Sequence, residues 1–519
     1  MFLIGVDLPL WAALLCVAAA LLYWLGTNTY GTFRSLGIPY ETASIPFLGN
    51  LISSLSKPIP DEDLNMVKKF PGKVFGKFLG KKPVLCIADP LVNKEVTIKQ
   101  WTKFRNHSGL LDGEDNIHTR HVGALEDDHW KHVRSTLSPA LSSGKLKQML
   151  PVIKICADKL NAHLRRTESA SVKIKEYTGA YTMNVIASTA FGMDIDTHTT
   201  TEHPFVEHAR RIMGIKRATT LMAKLRGLIM MISLFVLPKF LRIFLSTHCG
   251  LSFADPESVA YFTKAIDQYT QGYEPNEKQQ NFLSICYPKV VDLDKIEKTE
   301  IRNSHGFSWT TAGLTRKDFI ANAVIFLGAG YETTATALQF SLYAMALHPH
   351  IQDKLYSEVK DVEEDFSYEC LQNLEYLDWT IKESLRFFPP VLRLDRATVE
   401  DATINDFTIP KGMMISCLVY PMHHDPEYWP NPETFDPVRF SPEQRTEIQQ
   451  SAFLPFGAGS RNCLASRLAL LELKVSLVKL VKEFRFEKTS KTPGLNSGFK
   501  KGLSFLDMAE PIEISAVPR

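Results

Sequence analysis

A cysteine stands in a glycine-rich loop directly before a strongly apolar segment. The loop spans 456–463 and reads FGAGSRNC, and the following residues place leucine and valine on one helical stripe. Cys463 is therefore expected near a helix N-terminus, where the positive end of the dipole favours a thiolate. Arg461 offers a fork of donors to a carboxylate. The glycines let the backbone pass close to a flat group. The alternative is an inert buried thiol.

The periodicity predicts a long apolar helix around 316–347, with Thr315 as its cap. The polar residues Glu332 and Thr333 interrupt its apolar sequence. The middle of this helix, 328–334, reads GAGYETT, and two glycines inside a helix cost about 1 kcal/mol each relative to alanine. Either the helix packs closely against another helix, or a bulky flat group approaches its backbone. In the second case Glu332 and Thr333 would form a proton relay, with the hydroxyl bonded back to a carbonyl.

Two weaker motifs pair charged or aromatic residues at helical spacing. Glu383 and Arg386 share a helix face at i and i+3, so an ion pair is expected, worth roughly 0–1 kcal/mol if it lies at the surface. Trp130 and Arg134 share a face at i and i+4. A half-buried tryptophan on an amphipathic helix has the same pattern, so neither motif is specific when taken alone.

Taken together, these motifs resemble those of the cytochrome P-450 family of haem-thiolate monooxygenases. The family patterns FxxGxRxCxG, (A/G)Gx(D/E)TT, ExxR and WxxxR all occur, in family order, within residues 130–463. Ala465 replaces the last glycine of the first pattern, and Ser460 stands where many members have proline. The segment 435–440, FDPVRF, resembles the family's meander motif and contributes Arg439. The layout is most similar to the animal clan that contains family 3 and thromboxane synthase.

The resemblance implies a role for each matching residue. Cys463 is implied as the axial ligand of the haem iron, Thr333 as the residue that supports dioxygen, and Glu332 as a source of protons. Glu383, Arg386 and Arg439 are implied as a structural network. The residues implied to bind the haem are Trp130, Arg134, Ala329, Gly330, Arg396, Phe456, Gly457, Arg461 and Cys463.

The N-terminal segment predicts a membrane anchor. Residues 8–25 carry no charge and span roughly 27 Å as a helix, close to the thickness of a bilayer core. A cleaved signal peptide is the alternative, but it usually has a basic start, and the only early charge here is Asp7. Because Arg34 follows the segment and no basic residue precedes it, the positive-inside rule places the N-terminus in the lumen. By resemblance the membrane is the endoplasmic reticulum.

The rest of the chain predicts one large catalytic unit. We expect a mainly α fold with small β-sheets (α+β), divided into an anchor at 1–28, a Pro/Gly-rich linker at 29–60 and a haem-binding domain at 61–519. Residues 70–90 predict a β-hairpin, and residues 288–316 an exposed loop. The apolar stretch 227–237 fits either a core helix or a surface that dips into lipid.

Composition excludes several classes of function. The chain has 519 residues and a formal net charge of +2, which argues against a nucleic-acid binder. Its 8 cysteines are scattered without a CxxC pair, which argues against a disulfide scaffold or a zinc knuckle. The chain carries neither a phosphate-loop motif nor a GxGxxG after a strand. Neither His118 and His121 nor His423 and His424 have a third ligand at metal-binding spacing.

The implied reaction inserts one oxygen atom from O2 into a lipophilic substrate of xenobiotic, steroid or fatty-acid type. The implied cofactor is haem b. A chain of this length leaves no room for a fused reductase, so NADPH and flavins act through a separate NADPH–cytochrome P-450 reductase, with cytochrome b5 as a possible second donor. Charge would steer such an encounter. The basic residues expected on that face are Lys131, Lys145, Lys147, Arg467 and Lys474.

Two rival functions stay open at this stage. A haem-thiolate isomerase or dehydratase would not need dioxygen, but such proteins tend to lose the Glu–Thr pair that is present here. A haem-binding sensor without turnover would share the cysteine loop, and it would not depend on Thr333 and Glu332. Dependence on NADPH and oxygen discriminates the first rival, and substitution of Thr333 discriminates the second.

Overall fold

The structure is a computed structural model of the full chain. It describes residues 9–107, 115–197, 203–212, 255–271, 281–292, 301–303, 306–501 and 505–519, together with a few single positions between 229 and 245. Most of the apolar stretch 227–237 lies outside these residues.

The N-terminal helix α1(Leu10–Thr27) begins after Pro9 and stands clear of the globule. Leucine, tryptophan and tyrosine side chains along it are exposed, and its buried residue is Gly26. In the part of the chain that the structure describes, it is the one helix long and apolar enough to cross a membrane. The helix predicted at 8–25 is confirmed, and its role as a membrane anchor stays a prediction.

The segment predicted as a linker folds onto the globule. Phe33 is fully buried, and a Cβ on Gly76 would lie 2.3 Å from its ring. Tyr40 forms a parallel bridge with Gly76. The proline- and glycine-rich composition of 29–60 therefore produces a close-fitting wrap around a sheet and not a free lead. The division of the chain at residues 28 and 60 stays a prediction.

The largest sheet begins with the predicted hairpin. Strands β1(Val74–Leu79) and β2(Lys82–Ile87) pair antiparallel, with Val74 opposite Ile87. The sheet continues through β9(Met414–Leu418), parallel to β2, and ends at β6(Arg393–Ala397), antiparallel to β9. This order carries Arg396 to the edge of the sheet beside the cysteine loop.

Three smaller sheets complete the β structure. They are formed by β10(Phe484–Lys488), β11(Glu513–Pro518) and β3(Ser171–Lys173), by β4(Ile301–Arg302) with β5(Ser308–Trp309), and by β7(Ala402–Ile404) with β8(Phe407–Ile409).

Helices make up most of the fold. After α1 they are α2(Thr32–Ser35), α3(Leu51–Ser56), α4(Ile59–Lys69), α5(Pro90–Lys94), α6(Asp127–Leu137), α7(Ser143–Arg165), α8(Ile174–Phe191), α9(Pro204–Ile212), α10(Pro256–Gln271), α11(Phe282–Cys286), α12(Arg316–Leu347), α13(Pro349–Val359), α14(Tyr368–Gln372), α15(Glu375–Phe387), α16(Val419–His424), α17(Glu447–Ala452) and α18(Ser466–Glu483). The predicted fold class, mainly α with small sheets, is confirmed.

The central helix α12 runs through the core, as predicted. Thr315 caps it by accepting a hydrogen bond from the N–H of Asp318 at 3.1 Å. Its apolar side chains join those of α7, α8, α15 and α18 in one core cluster. Since buried residues surround the helix, its backbone is fixed along most of its length, and the side chains in its middle have defined positions.

The exposed loop predicted at 288–316 is wrong in its described part. Strands β4 and β5 form a small hairpin there, and Trp309, Thr310 and Leu314 are buried. His129 of α6 stacks on Trp309 with ring centroids 5.1 Å apart. The charged residues of this segment predict exposure, but a few apolar side chains, such as Trp309 and Leu314, are enough to pack it against α6.

The polar loop before α6 also docks onto α12. The N–H of Val122 donates to Asn322 Oδ1 at 2.8 Å, and Arg120 pairs with Asp318 at 3.2 Å. The polar groups of residues 115–126 therefore bond to the start of α12.

Candidate active site

The cysteine loop lies between the sheet and the start of α18. The N–H of Cys463 donates to the carbonyl of Phe456 at 2.8 Å, which closes the loop on itself. Helix α18 begins at Ser466, so Cys463 precedes the first helical turn and does not belong to it. Apart from a residue on α1, Cys463 is the only cysteine that is exposed within the described part of the chain.

Glycine is required at two positions of the loop. Gly457 and Gly459 have φ angles of +72° and +71°, which L side chains rarely adopt. A Cβ on Gly459 would lie 1.9 Å from the carbonyl oxygen of Thr97, so no larger residue fits there. The loop is thus pressed onto the segment after α5, and this contact fixes its backbone at Gly459.

Helix α6 delivers Trp130 and Arg134 to this loop. Arg134 donates to the Asn462 carbonyl at 2.9 Å and to its side-chain oxygen at 2.7 Å. Trp130 is buried, and the Arg461 guanidinium lies 3.9 Å from the centre of its ring. The structure therefore brings the WxxxR residues and the cysteine loop together, although Trp130 and Cys463 are far apart in sequence.

Arg461 is a buried cation that the protein leaves short of acceptors. Its Nε donates to the Arg105 carbonyl at 2.7 Å, whereas Nη1 is buried with no hydrogen-bond partner among the described residues. Burial, with the nearby charges of Arg396 and Arg134, lowers the pKa of Arg461 to about 9. Because arginine keeps its charge in proteins, this deficit of negative charge favours an anionic ligand.

Arg396 lies beside Arg461 and shares its environment. It is 3% exposed, burial lowers its pKa, and its Nη2 approaches the Ala458 carbonyl at 3.4 Å. Burial and the charges of both arginines lower the pKa of the neighbouring His107 to about 3. A neutral imidazole therefore adjoins the arginines and adds no further positive charge.

The Cys463 thiol experiences opposing effects. The side chain reaches the surface, but the protein around its sulfur desolvates the charged form and raises its pKa, while the N–H of Ala465 and the charge of Arg134 lower the pKa. The thiolate predicted from the helix dipole alone is thus not favoured by this chain's own groups, because desolvation of the charged form outweighs the N–H and the arginine. Metal coordination deprotonates a thiol outright.

The middle of α12 supplies the second group of predicted residues. The Thr333 hydroxyl donates to the Ala329 carbonyl at 2.6 Å, the back-bond expected from the sequence. Glu332 is 7% exposed, and its Oε1 lies 2.6 Å from Lys175 Nζ on α8. Ala329 is exposed. Glu332 thus contacts the neighbouring helix α8, whereas Thr333 bonds back to its own helix.

Gly330 lies against a neighbouring helix. A Cβ on it would meet Ile186 of α8 at 2.8 Å. This contact supports the helix-packing alternative for Gly330, because α8 occupies the space that a side chain would need. Its assignment to haem binding stays a prediction without a contact that favours it.

Glu383 and Arg386 form a buried pair and not a surface one. Both side chains are fully buried, and the guanidinium contacts both carboxylate oxygens, at 2.7 and 2.8 Å. Arg439 approaches the same carboxylate at 3.5 Å, and the Asp436 N–H donates to it at 2.9 Å. The three residues of the predicted network therefore meet.

A buried histidine connects this network to the cysteine loop. Arg386 Nη1 donates to the His423 carbonyl at 2.8 Å, and His423 Nε2 accepts from the Leu454 N–H at 2.8 Å. Leu454 lies two residues before Phe456. The Glu383 network thus fixes the start of the loop through His423, a residue for which the sequence predicts no role beyond excluding a metal site.

The chain matches the family described as Cytochrome P450 over residues 39–515. The chain belongs to the cytochrome P450 family. It is 35% identical over 485 residues to human cytochrome P450 3A5, covering 92% of this chain and 91% of that protein. It is 33% identical over 518 residues to cytochrome P450 3A16 of Mus musculus, covering 98% and 96%, respectively. It is 34% identical over 522 residues to cytochrome P450 3A6 of Oryctolagus cuniculus, covering 99% and 98%.

Membership establishes the class of reaction and the cofactor. The protein is a cytochrome P450 monooxygenase, an oxidoreductase that works with haem. The residues present fit that group. The unpartnered Nη1 of Arg461 and the cationic surroundings shared by Arg396 and Arg134 suit carboxylates, and the exposed Cys463 suits a metal. The resemblance drawn from the sequence motifs is confirmed.

The P450 site also includes residues that the motifs did not reveal. Arg105 and Asn106 hold Arg461 by a carbonyl at 2.7 Å and a side-chain oxygen at 3.3 Å. Lys175 holds Glu332. Neither group belongs to a motif, and each lies far along the chain from the residue it contacts, so only the fold brings them together.

The prediction that Lys474 belongs to the basic docking face is wrong. Lys474 is 4% exposed, pairs with Asp378 at 3.1 Å and donates to the Leu371 carbonyl at 3.2 Å. The helical stripe of α18 that carries Lys474 faces the core. Lys131, Lys147 and Arg467 are exposed.

Proposed function

We propose that this P450 inserts one oxygen atom of O2 into a lipophilic organic substrate of xenobiotic, steroid or fatty-acid type. The other atom leaves as water, with two electrons and two protons supplied. The observation that carries the proposal is the convergence of Trp130, Arg134, Arg396 and Arg461 on the Cys463 loop, together with an intact Glu332–Thr333 pair on α12. Without the acid–alcohol pair, the isomerase alternative would be equally supported.

The residues around the loop bind and orient the cofactor. Cys463 would provide a thiolate ligand to the iron, and Arg461, Arg396 and Arg134 would bind the propionates of haem b, with Trp130 packed against Arg461. Phe456 and Gly457 would line the approach to the flat ring. When bound, a haem with a thiolate ligand activates dioxygen for cleavage. Ala329 would contribute to the opposite wall.

Two residues on α12 would handle protons and oxygen. Thr333 would orient dioxygen through its hydroxyl, whose back-bond to the Ala329 carbonyl fixes the rotamer. Glu332 would act as the acid–base group, since general acid–base catalysis contributes roughly 10²–10⁴-fold when the group reaches its target directly or through one water. Glu383, Arg386 and Arg439 would support the loop and take no part in the chemistry.

The electrons would come from a separate flavoprotein. We assign this role to NADPH–cytochrome P450 reductase, with cytochrome b5 as a second donor, because the sequence carries no GxGxxG dinucleotide-binding motif of its own after a strand. The exposed cations Lys131 and Arg467 lie on α6 and α18, the two elements that flank the cysteine loop. Their charge suits a transient encounter with an acidic partner.

The protein would act at the membrane of the endoplasmic reticulum. Helix α1 would cross the bilayer once, with the N-terminus in the lumen and the catalytic domain in the cytosol, as the position of Arg34 indicates. The anchor would hold the catalytic domain next to lipid, where an apolar substrate is concentrated.

The experiment combines the purified protein with the reductase in lipid vesicles and presents lipophilic substrates. We expect products with one added oxygen, formed only with NADPH and O2 present. Thr333→Ala should lower product formation and raise hydrogen peroxide release. Conversion without NADPH or O2 would contradict the proposal in favour of an isomerase. Haem binding without turnover of any substrate class would contradict it in favour of a sensor.

A further inference from the structure

The carboxylate of Glu332 is held from one side only. Its Oε1 lies 2.6 Å from Lys175 Nζ, a short charge-assisted hydrogen bond. Its Oε2 is buried and has no hydrogen-bond partner in the described ranges. Buried polar atoms are nearly always paired, with protein or with ordered water. One oxygen is therefore fixed by the protein, and the other is open to a water molecule or a proton.

Lys175 is itself held by a second acid. Its Nζ lies 3.2 Å from Asp507 Oδ2, a residue of the segment before β11. Asp507 in turn contacts Lys500 Nζ at 2.7 Å through the same oxygen, and Gln339 donates to its Oδ1 at 3.2 Å. Gln339 is on α12, two turns beyond Glu332. The lysine is thus clamped between two carboxylates that are both tied to the central helix.

This row of charges runs from the core to the surface. The side chains of Glu332, Lys175, Asp507 and Lys500 are 9%, 33%, 15% and 44% exposed. The row leaves α12 by way of the first turn of α8, whereas the segment 115–126 docks at the start of α12. Because Lys175 and Lys500 are both partly exposed, water can reach the row from the protein surface.

We infer that Lys175 and Asp507 are positioning residues for Glu332 and mark the route by which protons enter the site from water. Lys175 fixes the rotamer of Glu332 through Oε1 and leaves Oε2 to take a proton from the water that the charged row admits. Asp507 keeps Lys175 in place. The inference rests on the proposed role of Glu332 as the acid–base group.

The proton balance gives the inference a measurable consequence. Each productive turnover uses two electrons from NADPH and two protons from water, and it yields one oxidised substrate and one water molecule. When Glu332 is misplaced, the same two electrons and two protons leave as hydrogen peroxide instead. Loss of Lys175 should therefore change how electrons are divided between product and peroxide, as well as the rate.

A matched control exists on α7. Lys159 pairs with Asp194 at 2.7 Å, its side chain is 25% exposed, and neither residue belongs to the site. Lys159→Met removes the ion pair of a similarly exposed lysine with a carboxylate that is itself exposed. It controls for the general effect of losing a surface cation on folding and on the overall charge.

The experiment uses the full-length haem-loaded protein with reductase, and compares Lys175→Met, Lys175→Arg, Asp507→Asn and Lys159→Met. We expect Lys175→Met to raise the peroxide-to-product ratio about tenfold, as a misplaced acid–base group does, and to increase the solvent deuterium isotope effect on product formation. Asp507→Asn should act in the same direction with a smaller effect. Lys175→Arg should restore most of the coupling, and Lys159→Met should match the wild type.

A spectroscopic readout does not depend on turnover. Loss of a charge-assisted hydrogen bond changes the stretching bands of a carboxylate. The infrared difference spectrum between the wild type and Lys175→Met should therefore show a change in the carboxylate bands, and this change should be absent when both proteins carry Glu332→Gln.

The outcomes separate the inference from the proposed function. If Glu332→Gln uncouples the enzyme and Lys175→Met does not, the acid–base role stands and the positioning role of Lys175 is overturned. If Lys175→Met leaves the carboxylate bands unchanged, the contact between Lys175 and Glu332 is overturned. If Glu332→Gln leaves coupling and isotope effect unchanged, the acid–base role and the inference both fail.

Discussion

Two buried carboxylates in this molecule have opposite degrees of hydrogen bonding. Glu383 contacts Arg386 through both oxygens and also accepts the N–H of Asp436, so each of its oxygens has a donor. Glu332 contacts Lys175 through one oxygen, and its other oxygen has no partner in the described structure. Complete pairing suits a group that holds a fold together, whereas incomplete pairing leaves an acceptor for chemistry.

The comparison extends to a cation and to a third acid. Arg461 has an unpartnered nitrogen beside the cysteine loop, where an anionic propionate would complete its bonding. Glu472 of α18 is 2% exposed, and its Oε2 has no partner within the described residues. Unlike Arg461 and Glu332, Glu472 lies outside the site. An incomplete group therefore marks function only where it adjoins the other predicted residues.

The largest effect should follow from breaking the complete pair. Glu383→Ala leaves Arg386 charged, buried and unpaired, which costs about 3–5 kcal/mol of folding free energy. Chemical denaturation should show this loss, with haem lost in the same transition. Lys382→Ala on the same helix, which breaks a partly exposed pair with Asp378, should change stability by about 1 kcal/mol or less. Equal effects of the two variants would contradict a structural role for Glu383.

Changing the incomplete carboxylate should affect chemistry far more than folding. Glu332→Gln keeps the size of the side chain and removes its acid–base capacity, so product formation should fall about 100-fold. The midpoint of denaturation should stay within the range of Lys382→Ala. The contrary result is a loss of stability in Glu332→Gln as large as that in Glu383→Ala, with product formation per folded molecule unchanged. That result would mean that Glu332 stabilises the fold and takes no part in the chemistry.

Arg461 should show an intermediate effect, on haem retention. Arg461→Met removes donors to an ionised group, a loss of about 1.5–3 kcal/mol, or roughly 10–100-fold in haem dissociation. Transfer of haem to an apo-acceptor protein measures that rate. Arg467→Met, at an exposed position on α18, is the control. Unchanged retention in Arg461→Met would mean that the unpartnered nitrogen does not face the propionates.

The smallest effect should be a gain in stability at Glu472. Burial raises the pKa of this carboxyl well above its ordinary value of 4.5, so the folded state keeps a proton that the unfolded state releases. Stability should therefore fall as the pH rises above about 4.5, until the folded-state pKa is reached. Glu472→Met removes this slope and should stabilise the protein by about 1–3 kcal/mol at neutral pH. A steeper decline of its stability with pH would contradict this assignment.

The sequence predicted what depends on local spacing. The capped helix at 316–347, the hairpin at 74–87 and the meeting of Glu383 with Arg386 each follow from residues close together in the chain. The family motifs added the long-range approach of Arg439 and Arg134, which spacing alone does not supply.

Other contacts depend on packing between distant segments. Lys175 and Glu332 are 157 residues apart, and no motif contains the lysine. Lysine is usually a surface residue, but α18 is buried on nearly all sides. The side chain of Lys474 therefore lies in the core. The docking of 307–314 on α6 was missed because a few buried apolar side chains outweigh many charged neighbours.

The central claim is that Cys463 is the thiolate ligand of the haem. The most direct measurement is the difference spectrum of the reduced protein with carbon monoxide, for the wild type, Cys463→Ala and Cys370→Ala. Cys370, a half-buried cysteine on α14, serves as the control. The account predicts a strongly red-shifted Soret band in the wild type and in Cys370→Ala, and its loss in Cys463→Ala. A red-shifted band that survives in Cys463→Ala, or a wild-type band at the shorter wavelength of a histidine-ligated haem, would contradict it.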